Sequence, residues 1–134
     1  MDVLTGLLDE IVVPPAVARE IGPEICRLGN ITEIRLRRSV DPRIVAAQLG
    51  AGESEAISLA IESGKTRVVL DDGPARRVAA LLSVPVIGTA GLLLMAKDRT
   101  VIPAVKPIIG ALMETGFHLH DEVIATILTL AGEQ

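Results

Sequence analysis

Two adjacent aspartates, Asp71 and Asp72, follow the apolar run VVL at residues 68–70 and precede a segment with helical character. Carboxylates at the end of a strand can hold a hard divalent cation, because such ions prefer oxygen ligands. Asp72 also has a structural explanation, since aspartate is a favoured N-cap and Pro74 suits the first turn of a helix. Arg76 lies four residues beyond Asp72 and could pair with it on that helix. The residue types alone leave both interpretations open.

Two glutamates elsewhere in the chain could join these aspartates. Glu53 sits in the first turn of a predicted helix, ESEAISLAIES, where the positive end of the helix dipole favours an acid. Glu20 lies near the end of an earlier predicted helix, AVAREI, and could simply be a solvated charge. Each acid alone has a structural reading, so a metal site depends on whether the fold brings the acids together.

The first third of the chain predicts two strands and two helices. Pro14 and Pro15 follow IVV, which indicates a short extended segment and then a helix that ends near Gly22. The stretch ITEIRLRRSV, residues 31–40, alternates apolar and charged side chains and predicts a half-buried strand. Asp41 then has the properties of an N-cap for the helix PRIVAAQL.

Residues 53–97 alternate between strand and helix patterns. The helix ESEAISLAIES ends at Gly64, RVVL is a short strand, Asp72 begins the helix ARRVAALL, and PVI is another strand leading through Gly88 and Thr89 into AGLLLMAK. Two further helices are predicted, from about residue 103 to 115 and from about 121 to 131. This alternation predicts parallel strands with helical crossovers. Ligands bind beyond the carboxyl ends of such strands, which is where both aspartates fall.

The composition is that of one domain with an aliphatic core. The chain has 134 residues, 49% of them hydrophobic, and Phe117 is the only aromatic residue. The uncharged run at residues 78–96 contains proline and glycines, so it indicates helix, strand and helix rather than a membrane span. The absence of a secretion signal pattern and the single cysteine, Cys26, favour a cytoplasmic protein. A net charge of −4 argues against tight non-specific binding to nucleic acid.

Four segments together resemble PIN-domain proteins. They are VPPAVAREI, LGAGESEAISLAI, VVLDDGPARRVAALLSVPVIGTAGLLLMAK and a last helix that ends in LAGE. The stretches GESEAI and LDDGPARRVA are similar to signatures of a PIN-like group, and the resemblance covers essentially the whole chain. It implies an α/β fold in a single domain, residues 1–134, with three layers and a short, mainly parallel sheet flanked by helices.

The resemblance also implies an activity and a set of residues. PIN domains are small nucleases, many of them toxin ribonucleases of toxin–antitoxin pairs, and they use Mg²⁺ or Mn²⁺ to activate water for attack on a phosphodiester. Carried over to this chain, the catalytic and metal-binding acids are Glu20, Glu53 and Asp72. Asp71 is an alternative to Asp72, and Glu55 is a less suitable substitute for Glu53. RNA and an antitoxin-like protein are the implied partners.

The chain departs from the family pattern at its start. PIN proteins begin with a strand that ends in a ligand aspartate, whereas MDVLTGLLDEIVVPP resembles the segment after the first helix. Asp2 and Asp9 lie in the wrong context to replace that ligand, so we expect weakened activity or none. The alternative is a catalytically degenerate PIN-like module that acts in dimerisation or partner binding. Because the missing strand would be central, we also expect a homodimer or an obligate partner that covers the sheet edges.

A few other residues could contact ligands. Arg35 and Arg37 project from one face of the predicted strand and could bind phosphates, as could Arg76, although charges on the solvent side of a strand are common. His118 and His120 could bind a metal, but two histidines on a short connector are more often surface residues. Cys26 has no nucleophile signature around it and is predicted to be a small buried side chain.

Overall fold

The computed structural model describes residues 11–23, 31–64, 67–117 and 119–133. The elements, in chain order, are β1 (Ile11–Val13), α1 (Pro15–Ile21), β2 (Ile31–Glu33), α2 (Pro42–Ala46), α3 (Ala51–Ser63), β3 (Val68–Val69), α4 (Gly73–Leu81), β4 (Val86–Ile87), α5 (Thr89–Asp98), α6 (Lys106–Glu114) and α7 (Asp121–Leu130). The α/β class is confirmed. Among the described residues, one compact unit spans 11–89 and another spans 90–133. That the chain forms a single domain stays a prediction.

The strands of the unit at residues 11–89 form two small parallel sheets. Strand β1 pairs with β2, with Ile11 opposite Ile31, and β3 pairs with β4, with Val68 opposite Val86. Helix α4 connects β3 to β4, so the predicted parallel crossover is confirmed. The carboxyl ends of β3 and β4 therefore lie side by side.

The predicted strand at residues 31–40 is wrong beyond residue 33. Its partner β1 cannot continue, because Pro14 has no N–H group and serves as the N-cap of α1. The last bond of the ladder runs from the Ile34 N–H to the Val13 carbonyl oxygen, at 2.9 Å. The Ile34 side chain is 41% exposed, so the alternating pattern does not mark a buried face.

A side chain of helix α3 binds the backbone that follows β2. The N–H groups of Arg37 and Arg38 donate to the Glu62 carboxylate, at 2.7 and 3.4 Å. These bonds span 24 to 25 residues in sequence and replace the strand pairing that the alternation predicted. Local periodicity could not reveal this partner, because the bonds depend on how α3 packs.

Carboxylates stabilise the starts of helices α2 and α1. Asp41 is the N-cap of α2, as predicted, and its side chain accepts the Arg43 N–H at 2.8 Å. The Arg43 guanidinium also bonds to it, and these contacts lower the pKa of Asp41 to about 2. Helix α2 ends at Ala46 and is thus shorter than predicted. For α1, Glu55 on α3 accepts the Ala16 N–H at 3.0 Å and supplies the cap that Pro14 cannot.

The core of the unit at residues 11–89 is aliphatic, as predicted. Its buried members come from α2, α3, β3 and α4 and the segments next to them: Ile44, Ile57, Ala60, Val68, Leu70, Ala75, Ala79 and Val84. Ile44 and Ile57 are fully buried, and each contributes about 1.5–3 kcal/mol relative to an exposed side chain. The alanines of α4 allow that helix to lie close to β3, which holds the N-terminus of α4 beside the strand ends.

The unit at residues 90–133 contains the remaining helices. Leu92, Leu93 and Ala96 of α5, Ile109 of α6 and Ile127 of α7 are buried. Both helices predicted here exist, and α6 begins at Lys106 with proline in its first turn. Within the described ranges, no helix combines the length and the apolar character that crossing a membrane requires.

Glu133, near the end of the chain, holds two other segments of this unit. Its carboxylate accepts the N–H groups of Val105 and Lys106, at 2.8 and 3.0 Å, where α6 begins. The Lys97 ammonium of α5 donates to the same carboxylate at 3.0 Å. These three donors, the two backbone groups first, lower the pKa of Glu133 to about 2.

Candidate functional site

The first candidate acid, Glu53, folds back over the start of its own helix. Gly50 is the N-cap of α3 in an extended conformation, and the Glu53 carboxylate three residues later accepts a hydrogen bond from the Gly50 N–H. A Cβ atom at Gly50 would lie 2.9 Å from Glu53 Oε1. The glycine therefore leaves the space in which the Glu53 carboxylate covers the helix N-terminus.

The second acid, Asp72, caps the helix that follows β3. It is the N-cap of α4, as predicted, and its side chain accepts the Ala75 N–H at 3.0 Å. The Asp72 and Glu53 carboxylates also lie within hydrogen-bonding reach of each other. The N-termini of α3 and α4 thus meet through their capping carboxylates, and the positive ends of both helix dipoles face the same acidic pair.

The third acid, Glu20, reaches this pair from the last turn of α1. A Cβ atom at Gly52 would lie only 2.7 Å from Glu20 Oε1, so the Glu20 carboxylate rests directly on this glycine. Gly52 is buried in the first turn of α3, whereas Glu20 is exposed. The charge of Glu20 acts on the Glu53 carboxyl. The structure therefore brings Glu20, Glu53 and Asp72 together, although they are far apart in sequence.

Burial and neighbouring negative charges together determine the ionisation of Glu53. Partial burial, followed by the charge of Asp72, its hydrogen bond and the charge of Glu20, raises the pKa of Glu53 above its usual value near 4.5. The Gly50 N–H acts in the opposite direction. A cation placed among these carboxylates would offset the repulsion that adds to the effect of burial on the pKa of Glu53.

The three acids fit a hard divalent cation in their chemistry. Mg²⁺ and Mn²⁺ prefer carboxylate oxygens, and Glu53 and Asp72 already present such oxygens to each other. Across the residues that the structure describes, however, no group of three or more His, Cys, Asp or Glu side chains has the arrangement of a metal site. The site is therefore a close pair, Glu53 and Asp72, with Glu20 beside it.

Asp71 does not join the acidic pair. Its carboxylate bonds to Thr89 at the start of α5, with the Thr89 N–H at 2.8 Å and the hydroxyl at 2.5 Å. Glu55 is likewise engaged elsewhere, at the N-terminus of α1. Two acids that the sequence offered as alternatives thus have other partners.

The predicted pair between Asp72 and Arg76 is wrong. The Arg76 guanidinium donates instead to the Leu70 carbonyl oxygen at 3.0 Å, and its Nη1 atom lies beside Gly88. This contact directs Arg76 toward the ends of β3 and β4. The contacts of Arg76 therefore hold its positive charge at that sheet edge, near Asp71.

The other residues predicted to bind ligands either lie apart from the three acids or fall outside the described ranges. Arg35 and Arg37 are exposed on the irregular segment after β2, so the common strand face predicted for them does not form. No hydrogen bond joins either side chain to Glu20, Glu53 or Asp72 in the described part of the chain. His120 is the N-cap of α7. The predictions for Asp2, Asp9, Cys26 and His118 lie outside the described residues.

One residue of the site, Gly52, comes just before the predicted helix ESEAISLAIES. It lies inside the first turn of α3, where glycine is unfavourable for a helix. A glycine at such a position often indicates a close approach by another group. That signal is available in the sequence, but the approaching group, Glu20, is visible only in the fold.

The sequence was compared with models of protein families and with known proteins. A PIN-domain family model matches residues 1–133. No curated protein and no solved structure matches the chain. The match covers nearly all of the sequence, including the α/β unit in which the three carboxylates meet. The chain therefore belongs to the PIN-domain family.

Proposed function

We propose that the protein is a divalent-metal-dependent ribonuclease of the PIN type, with Glu20, Glu53 and Asp72 holding the cation. The observation that carries this proposal is the contact between the Glu53 and Asp72 carboxylates, with the Glu20 charge acting on the same pair. Family membership supports a nuclease-type function on nucleic acid. We also propose RNA as the substrate and Mg²⁺ or Mn²⁺ as the ion. The proposed role is of toxin type, in the cytoplasm and with an antitoxin-like partner.

Each acid has a distinct part in this proposal. Glu53 and Asp72 come from two helix N-termini, so backbone N–H groups fix their carboxylates before any ligand arrives. Glu20 approaches from α1 and would close the third side of the site. A divalent ion bound there would polarise a phosphoryl oxygen and lower the pKa of a water molecule, which allows phosphodiester hydrolysis at neutral pH.

The substrate would be held by few cations. Arg76 is held at the strand ends beside Asp71, and Arg35 and Arg37 are exposed. These three arginines would contact phosphates on either side of the cleaved bond. The net charge of −4 means that binding without the cation would be weak.

The test is cleavage of a mixed RNA pool in Mn²⁺ by the parent protein and by Asp72→Asn and Glu53→Gln. Matched controls are Asp98→Asn and Glu114→Gln, which remove exposed acids from α5 and α6. We expect each site variant to lose about a hundredfold or more in rate and the controls to cleave like the parent. Parent-like cleavage by Asp72→Asn would contradict the proposal, as would equal losses in the controls.

A second function, a non-catalytic PIN-like module for dimerisation or partner binding, is favoured by one observation. Within the described residues, no three acids are arranged as a metal site. A ligand that prefers the folded state raises the melting temperature. Folded protein that neither cleaves RNA nor gains thermal stability from Mn²⁺, yet sediments as a dimer, would support this function over the first.

A further inference from the structure

Asp71 uses both of its carboxylate oxygens to bind one residue. Oδ1 accepts the Thr89 N–H at 2.8 Å, and Oδ2 accepts the Thr89 hydroxyl at 2.5 Å. Asp71 comes just after β3 and Thr89 just after β4, and the Leu70 N–H donates to the Ile87 carbonyl oxygen one step before them. The Asp71–Thr89 contact thus extends the pairing of the two strands beyond the last backbone bond.

Neighbouring residues in an extended segment project to opposite sides. Asp72 has extended dihedral angles, φ −64° and ψ 128°, and its carboxylate faces Ala75 and Glu53. Asp71, one residue earlier, faces β4 and Thr89 instead. Holding Asp71 on one side of the chain therefore sets the direction in which Asp72 is presented on the other.

Two further contacts enclose the Asp71–Thr89 pair. Gly88 leaves room for it, since a Cβ atom there would lie 3.1 Å from Asp71 Oδ1 and 2.7 Å from Arg76 Nη1. The Arg76 guanidinium in turn donates to the Leu70 carbonyl oxygen at 3.0 Å. The backbone leading into Asp72 is thus held from α4 by Arg76 and from the end of β4 by Thr89.

We propose that Asp71 is a positioning residue, which through its paired hydrogen bonds to Thr89 orients the Asp72 carboxylate toward Glu53 and is not itself a ligand of the cation. This inference rests on the proposed function, because the cation is what the Asp72 carboxylate would bind. It assigns separate roles to the two adjacent aspartates: Asp72 binds the cation, and Asp71 with Thr89 holds Asp72 in place.

The test measures Mn²⁺ affinity by calorimetric titration of the full chain, without substrate. The variants are Asp71→Ala, Thr89→Val, their double mutant and the conservative Thr89→Ser. Loss of a group that orients a metal ligand weakens metal affinity by about 10–100-fold. We expect Asp71→Ala, which removes both bonds, to show a loss in this range. Thr89→Val keeps the bond from the Thr89 N–H to Asp71 Oδ1 and should show a smaller loss. The double mutant should be no weaker than Asp71→Ala, and Thr89→Ser should bind like the parent.

Three results overturn the inference while leaving the proposed function intact. One is the loss of all detectable binding in Asp71→Ala together with parent-like affinity in Thr89→Val, which would make Asp71 a ligand. Another is additive losses in the double mutant, and the last is parent-like affinity in both single variants. Thr89→Val replaces only the hydroxyl by a methyl group, and it keeps the test valid if Asp71→Ala does not fold. No Mn²⁺ binding by the parent would instead remove the proposed function, and this inference with it.

Discussion

The Glu53 carboxylate has two opposite effects on stability, because it caps its own helix while its charge disfavours folding. Its carboxylate accepts the Gly50 N–H, yet burial and the charges of Asp72 and Glu20 raise its pKa. Because the folded pKa exceeds the unfolded one, ionisation of Glu53 disfavours the folded state. The penalty is absent below the unfolded value near 4.5 and is fully present above the raised folded value.

Glu53→Gln should therefore melt at a higher temperature than the parent at pH 7 in the absence of divalent cations. The gain should shrink as the pH falls through the raised pKa and vanish below about pH 4, because the parent is then protonated too. Thermal unfolding across this pH range, with Glu114→Gln as the control, measures the effect. A lower melting temperature for Glu53→Gln at pH 7 would show that the Gly50 bond outweighs the repulsion.

Gly52 is a site residue without a functional group. In Gly52→Ala the new Cβ would lie 2.7 Å from Glu20 Oε1, so the Glu20 carboxylate must move away from the acidic pair. We expect weaker Mn²⁺ binding with the fold retained, measured by titration and by thermal unfolding. Gly110→Ala in α6 is the control, because nothing lies within 4 Å of its Cβ position. That control should gain about 0.5–1 kcal/mol in stability from helix propensity and leave Mn²⁺ binding unchanged.

At the scale of elements, the start of α6 depends on a carboxylate 27 residues away. Glu133 accepts the N–H groups of Val105 and Lys106 and binds the Lys97 ammonium. Its pKa falls to about 2, so the stability that its charge contributes is present above the unfolded value near 4.5 and is lost as the pH falls toward 2.

Glu133→Gln keeps the shape of the side chain but removes its charge. We expect a lower melting temperature at pH 7 and a difference from the parent that closes between about pH 4.5 and 2, as the parent itself becomes protonated. Glu114→Gln again serves as the control, because Glu114 is exposed on the same helix whose start Glu133 holds. A pH-independent difference between Glu133→Gln and the parent would contradict the role assigned to the charge.

At the scale of the whole molecule, the charge balance limits how the protein could hold RNA. If Arg35, Arg37 and Arg76 make the phosphate contacts, the logarithm of affinity for single-stranded RNA should fall against the logarithm of salt with a slope of about −2. Replacing Arg35 and Arg37 by alanine should reduce that slope to about −0.7, whereas Arg99→Ala should not change it. Fluorescence anisotropy in an Asp72→Asn background avoids cleavage during the measurement. A steep slope in the double variant would place the contacts elsewhere.

The two small sheets lead to a prediction about the oligomeric state. Each described sheet has two strands, and two-stranded sheets are marginal on their own, while open edges attract further strands. We therefore expect a homodimer in light scattering at micromolar concentration, at a protein concentration where the far-UV spectrum shows folded protein. A monodisperse monomer under the same conditions would remove the dimer from the proposal.

Several features could be predicted from the sequence because they depend on nearest neighbours. Asp41 and Asp72 cap the helices that begin just after them, and the prolines that follow each of them favour the same starts. The parallel pairing of β3 and β4 follows from a strand–helix–strand pattern whose crossover has few topological solutions. Capping bonds span only two or three residues, so the local sequence contains both partners.

The tertiary structure decided which acid faces which partner. Asp71 and Asp72 are the same residue type one position apart, yet Asp71 binds Thr89, 18 residues away, and Asp72 meets Glu53. Glu55 caps α1 across 39 residues, and Glu62 binds the backbone N–H of Arg37, 25 residues away, in the irregular segment after β2. In each case the free energy of the contact depends on packing between distant segments, which periodicity within a short window does not report. The sequence by itself therefore determined the helix caps and the α/β alternation, and only the fold determined the site that they build.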